Sequence, residues 1–170
     1  MTGPDWLAVN ETQALRFFFE RLRDVADLER ATEAELLYNA SVLAHYARVS
    51  THSAVDLMTP ATLAEVFDHF VFDTSLRDDS AMMEAAGAQC LLLAGFFEDQ
   101  LRRRHSIRWY AQLGVAFFSR AAALERSAQR VPLLTAIAAG FEPWRQRHAR
   151  LGRELRDQPY LLIRPPRSAT

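Results

Sequence analysis

Between Ala85 and Phe97 the chain reads Ala-Ala-Gly-Ala-Gln-Cys-Leu-Leu-Leu-Ala-Gly-Phe-Phe, with Gln89 the one polar residue in the run. A surface helix keeps a wet face, so a helix apolar nearly all the way round must be enclosed by other elements. A membrane span would satisfy the same demand, but it needs roughly 20 apolar residues and this run is shorter. The chain is therefore expected to wrap its own elements round a central helix of about Ala81 to Arg104, capped by Asp79 or Ser80. Gly87, Cys90 and Ala94 form a strip of small residues on it that lets a neighbouring backbone approach.

The flanking sequence supplies wrapping material of one kind. Leu15, Phe18, Phe19, Leu22, Val25 and Ala26 recur at helical spacing behind an Asn10 cap and predict a helix over about Glu11–Glu29. Thr32 with Glu35 is a capping box that opens a second helix, about Glu33–Val49, with its stripe at Leu36, Leu37, Ala40, Leu43, Ala44 and Ala47. Pro60 starts a third, to about Phe72, whose core face is Leu63, Val66, Phe67 and Phe70. Beyond the central helix, Ser106 caps a helix of about Ile107–Ser127 with the stripe Tyr110, Leu113, Phe117, Ala121 and Leu124. Pro132 opens a short one through Ala139. Past Gly140, a basic amphipathic helix covers about Pro143–Arg156, with Trp144, His148, Leu151 and Leu155 on its inner face. No alternating strand pattern of useful length is present. The expected fold is all-α: one domain over 1–158, six or seven helices round the central one, and a tail over 159–170 in which Tyr160–Ile163 docks and the last residues stay mobile.

Charge is distributed unevenly. All 20 basic residues are arginine, and residues 1–85 carry 6 Arg against 15 Asp and Glu while 86–170 carry 14 against 6. The halves therefore differ by seventeen charges, −9 against +8, although the total is −1. Either the basic half meets a polyanion, or acidic and basic helices face each other within the fold or across a dimer; the second reading is preferred. The N-terminal segment Met1–Asp5 lacks the basic and apolar regions of a secretion signal, and the single Cys90 has no partner for an internal disulfide. A cytoplasmic protein is expected.

Motifs of catalysis are scarce. Six unclustered glycines leave no phosphate-cradling loop, dinucleotide fingerprint or nucleophile elbow. None of His45, His52, His69, His105 or His148 follows a Glu at the spacing of a dinuclear carboxylate centre. Glu65, Asp68, His69 and Asp73 form the best residual ligand group, and a solvated ion-pair surface is the preferred account of them. His45, on a mostly apolar helix, is read as a partly buried core histidine, and Cys90 as a buried small hydrophobe with a raised pKa. Neither a metal nor a cofactor is expected, and the protein is read as non-enzymatic.

The informative anomaly lies in the rings. Phe17-Phe18-Phe19, Phe96-Phe97, Trp109-Tyr110 and Phe117-Phe118 put large aromatics on neighbouring positions about 100° apart round a helix, so each pair points two ways. One ring can enter the core; the other needs a second cover. A homodimer is the simplest one, because a symmetric interface uses the same patch twice. The expected partner-binding set is Phe17, Trp109 and Phe118, rimmed by Arg102, Arg103, Arg104 and Arg108. Arg102–Arg104 also suit the last turn of the central helix, where cations meet exposed carbonyls; that reading is preferred over an anion clamp.

The string Gly87, Leu91–Phe97, Asp99, Leu101, Arg103-Arg104, Trp109-Tyr110, Leu113-Gly114 and Phe117-Phe118 resembles an uncharacterised group of small all-α proteins from high-GC proteobacteria, over about the central fifth of the chain. The resemblance implies a bacterial source and a helical fold, and no reaction. Taken together, these features suggest a regulatory or adaptor protein acting through an unidentified protein partner as a homodimer. The alternative is a polyanion or nucleic-acid binder using Arg145, Arg147, Arg150, Arg153 and Arg156, with Arg164 and Arg167 behind them.

Overall fold

The computed structural model describes residues 3–25, 31–52, 78–103 and 105–157, the side chains of 3–12, 48–52, 156 and 157 excepted. The expected third helix, the Glu65–Asp73 cluster, Arg104 and the tail beyond 157 lie outside the described residues. Those described form seven α-helices and one π-helical turn, and no strand is present among them. The protein is all-α. None of its described helices is long and apolar enough to cross a membrane.

Two compact units make up the chain, one of residues 1–57 with 151–170 and one of 58–150. In the first, α1 (Gly3–Val25) packs on α2 (Glu33–His52). Phe18 and Leu22 of α1 and Leu36, Ala40, Leu43 and Ala44 of α2 are buried. The expected box holds α2 at its start: Glu35 N donates to Thr32 Oγ1 at 3.2 Å, and Thr32 N returns a bond to Glu35 Oε2 at 3.0 Å. Two expectations are corrected here. Asn10 lies inside α1 and does not cap it, because the helix begins two turns earlier. Leu37, placed on the α2 stripe, is exposed.

The second unit contains the apolar run. Asp79 caps α3 (Ser80–Leu91) through Met82 N at 3.2 Å. The helix does not continue to Arg104 as one rod. It widens into a π-helical turn at Leu92–Phe96, closed by Phe97 N donating to Leu92 O at 2.8 Å, and resumes as α4 (Glu98–Leu101). Cys90, Leu91, Leu92, Leu93, Ala94 and Gly95 are all buried in sequence, so this stretch is enclosed on every side, while Ala81 and Ala85 nearer the start face solvent.

Its main cover is α5 (Ile107–Leu124), followed by α6 (Arg130–Ala139) against α5 and by α7 (Phe141–Asp157), whose residues from 151 belong to the first unit. The buried face of α5 is Tyr110, Gly114, Phe118 and Ala121, turned about half a residue step from the expected stripe; Leu113, Phe117 and Leu124 are only half-buried. Glycine decides this orientation. A Cβ on Gly114 would overlap the ring of Phe141 and come within 2.9 Å of Cys90 Cβ, so three helices meet where this side chain is missing. The acidic and basic parts of the chain do meet inside the unit: Arg120 pairs with Asp78 at 2.8 Å and Arg130 with Glu84 at 2.8 Å.

Candidate functional site

Four ring pairs sort in the same way. Phe18, Phe97, Tyr110 and Phe118 are buried, while their neighbours Phe17, Phe96 and Phe117 are half-buried and Trp109 is 38% exposed. Phe17–Phe18, Phe96–Phe97 and Trp109–Tyr110 pack edge to face at centroid separations of 5.2, 5.0 and 4.9 Å, so the inner ring also braces the outer one. Arg21 lies 5.4 Å from the Phe17 centroid.

Trp109 stands on the first turn of α5, which Ser106 caps by accepting from Trp109 N at 3.2 Å. The connector before it exposes Arg102 and Arg103, and Arg108 precedes it on the helix, also exposed. Arg102 donates to Glu98 Oε1 at 3.1 Å, so its position reflects a side-chain ion pair one turn back as well as the helix end. An exposed indole in an arginine-rich corner has the composition that dominates protein-binding surfaces. Phe118 is withdrawn from that surface. It is fully buried, with its ring atoms where a Gly87 Cβ would come within 2.8 Å and its centroid 6.2 Å from that of Phe141.

A second cluster centres on the π-helical turn. Here the winding brings Gly95 against α7 so closely that a Cβ would lie 2.8 Å from His148 Cβ and 3.0 Å from Arg145 O. Arg145 then reaches back: Nη1 donates to Ala94 O at 3.0 Å and to Glu98 Oε1 at 3.3 Å, while Nε and Nη2 fork onto Glu142 at 2.9 and 2.6 Å. The fork holds the Glu142 carboxyl below its ordinary range and the guanidinium above its own. His148, fully buried one turn beyond, is pushed down to about 3 by loss of solvent, so its ring is neutral.

Alongside these, α5 and the start of α7 enclose an open groove of about 400 Å³. Ile107, Ala111, Val115 and Phe141 form its apolar floor and walls; Arg108 and Gln112 edge one lip, Glu142 and Arg145 the other. Val115 is 40% exposed.

The remaining expected positions divide. Arg145 is turned inward and bound to two carboxylates, and Arg147 lies 4.4 Å over the Trp144 ring, which removes Arg145 from a polyanion-facing set and leaves Arg150 and Arg153 exposed. Arg156 lies on α7 with its side chain outside the described residues. His45 is exposed, not partly buried. Cys90 is fully buried and burial raises its thiol pKa well above the ordinary value, as expected. Trp144, His148, Leu151 and Leu155 form the buried side of α7. Among the described residues no three His, Cys, Asp or Glu side chains gather as a metal site would require.

Sequence reasoning did not single out Glu98, Glu142, Gln112 or Phe141. Glu142 stands three residues before Arg145, a helical ion-pair spacing legible in the sequence; the second carboxylate, Glu98, is reached only through the fold. No protein-family model, curated protein or solved structure matches this chain.

Proposed function

We propose that this is a non-enzymatic bacterial protein of the cytoplasm, regulatory or adaptor in role, that works by protein–protein interaction and is itself a homodimer. The observation that carries the reading is Trp109: 38% exposed, braced by the buried Tyr110, next in sequence to the exposed Arg108 and following the connector that exposes Arg102 and Arg103. Covering its remaining surface contributes roughly 2 kcal/mol per copy at about 25 cal/mol per Å² for a ring of this size. A two-fold interface gains that twice, with the arginines left at a solvated rim.

Light scattering on the purified chain across the micromolar range tests it. The wild type should have twice the mass of one chain, Trp109→Ala should shift towards the monomer, and added salt should weaken the dimer little. A monomeric wild type at micromolar concentration refutes the homodimer. The polyanion reading predicts the opposite salt response, with nonspecific DNA bound by Arg150 and Arg153 at low salt and released steeply as salt rises.

A further inference from the structure

We propose that the groove between α5 and the start of α7 binds a small amphipathic monocarboxylate, its apolar body on Ile107, Ala111 and Val115 and its carboxylate on Arg108 and Gln112. The volume, about 400 Å³, falls in the range of sites for small organic ligands. From Ile107 to Val115 the α5 wall is about 12 Å long at 1.5 Å per residue, which suits a medium-length alkyl chain or a fused ring lying along the helix. The base is rigid: Phe141 beneath the groove is 1% exposed and its ring is locked where Gly114 lacks a side chain, so the surface offered to a ligand is that of Ile107, Ala111 and Val115 on one fixed helix.

Charge selects the headgroup. On the α7 lip, Glu142 and Arg145 neutralise each other in a two-bond fork, and Arg145 also holds Glu98 and Ala94 O, so neither is available to a ligand. On the α5 lip, Arg108 is exposed and no carboxylate among the described residues pairs with it, and Gln112 adds an amide donor one turn along the same edge. An apolar trough with Arg108 as the one cation at its rim left uncompensated among the described residues favours a single negative charge over a neutral or cationic head, and those residues offer a dianion no second cation. Trp109 does not line the groove, and Arg108 is the residue the groove shares with the solvated rim of the proposed dimer surface.

Isothermal titration of the full chain with decanoate, kept below its micelle concentration, tests the assignment against decanol and decyltrimethylammonium as neutral and cationic probes. Saturable one-site binding of decanoate is expected, with Arg108→Gln weakening it about tenfold. Val115→Glu, at a position 40% exposed, should abolish it while circular dichroism and Tm stay as in the wild type. Absence of saturable binding, equal affinity for the neutral or cationic probe, or an Arg108→Gln variant that binds as the wild type does would overturn the proposal. So would a wild-type dimer that Val115→Glu converts to monomer with no decanoate bound to either, which would give the groove to a second copy.

Discussion

Replacing Gly114 with alanine adds one methyl group at the point where α3, α5 and α7 converge. Helix propensity alone favours the change by about 1 kcal/mol, because alanine loses less backbone freedom than glycine in a helix interior. Packing opposes it. The new Cβ overlaps the Phe141 ring and sits 2.9 Å from Cys90 Cβ, and both neighbours are almost wholly buried, so there is no solvent side towards which either can retreat. Overpacking of this kind costs up to about 3 kcal/mol, which leaves a net loss of roughly 2 kcal/mol. For a chain of 170 residues that corresponds to a fall in Tm of roughly 4–8 °C. Urea unfolding followed by circular dichroism measures it, with Ser119→Ala on the exposed side of the same helix reporting propensity alone and expected to be neutral or slightly stabilising. In the double variant with Phe141→Leu the ring tip is gone, so the combined loss should be smaller than the sum of the two single losses. A Gly114→Ala protein as stable as the wild type would show that α5 does not approach α7 as closely as described, and the orientation of its buried face would fall with it.

Two further outcomes test the cluster at the π-helical turn. Arg145→Gln leaves Glu98, whose side chain is 13% exposed, with Arg102 as its ion-pair partner, and removes the donors from Ala94 O and Glu142; a loss of about 1–2 kcal/mol is expected, with faster amide hydrogen exchange over Leu92–Phe97. Arg145→Lys should recover only part of this, since an ammonium cannot make the fork to Glu142. His148 is neutral when folded and pushed down to about 3, but takes up a proton at its ordinary value near 6.5 once unfolded. Unfolding therefore binds a proton below about pH 6.5, and stability falls with acidification by about 1.4 kcal/mol per unit until the folded value is reached. From about pH 6 to 4.5 this amounts to about 2 kcal/mol, and a His148→Gln variant should show a pH slope shallower by one proton; equal slopes would place His148 in contact with water.

What sequence made legible was the pattern that depends on neighbours a turn apart. The Thr32–Glu35 box, the Asp79 and Ser106 caps and the inner face of α7 are all local regularities, and each is present. Where a decision rested on contacts between helices it went astray. On α5 the larger residues Leu113 and Phe117 suggested one face, whereas Gly114, the smallest residue, marks the buried one because a facing ring fills its space. Sequence spacing puts Phe117 on the inner stripe and Phe118 on the partner-facing side, and the structure reverses them because the facing glycine, Gly87, takes the Phe118 ring. The residue types in a pair of adjacent aromatics show that two directions need cover; they do not say which is which.

The π-helical turn carries the same lesson one step further. Nothing in Leu92–Phe96 demands a change of winding by propensity, and Gly95 alone would be tolerated in a regular helix at a modest cost. The turn makes sense together with α7: Gly95 admits the α7 backbone at Arg145, and Arg145 in return donates to Ala94 O and holds Glu98, at the start of the next helical segment. The arginine that looked on sequence like part of a solvent-facing basic stripe is thus the side chain that ties the enclosed helix to its cover. Because its charge is consumed there, the groove beside it is left with Arg108 as its distinguishing cation. The chemistry of that surface follows from a contact made in the interior.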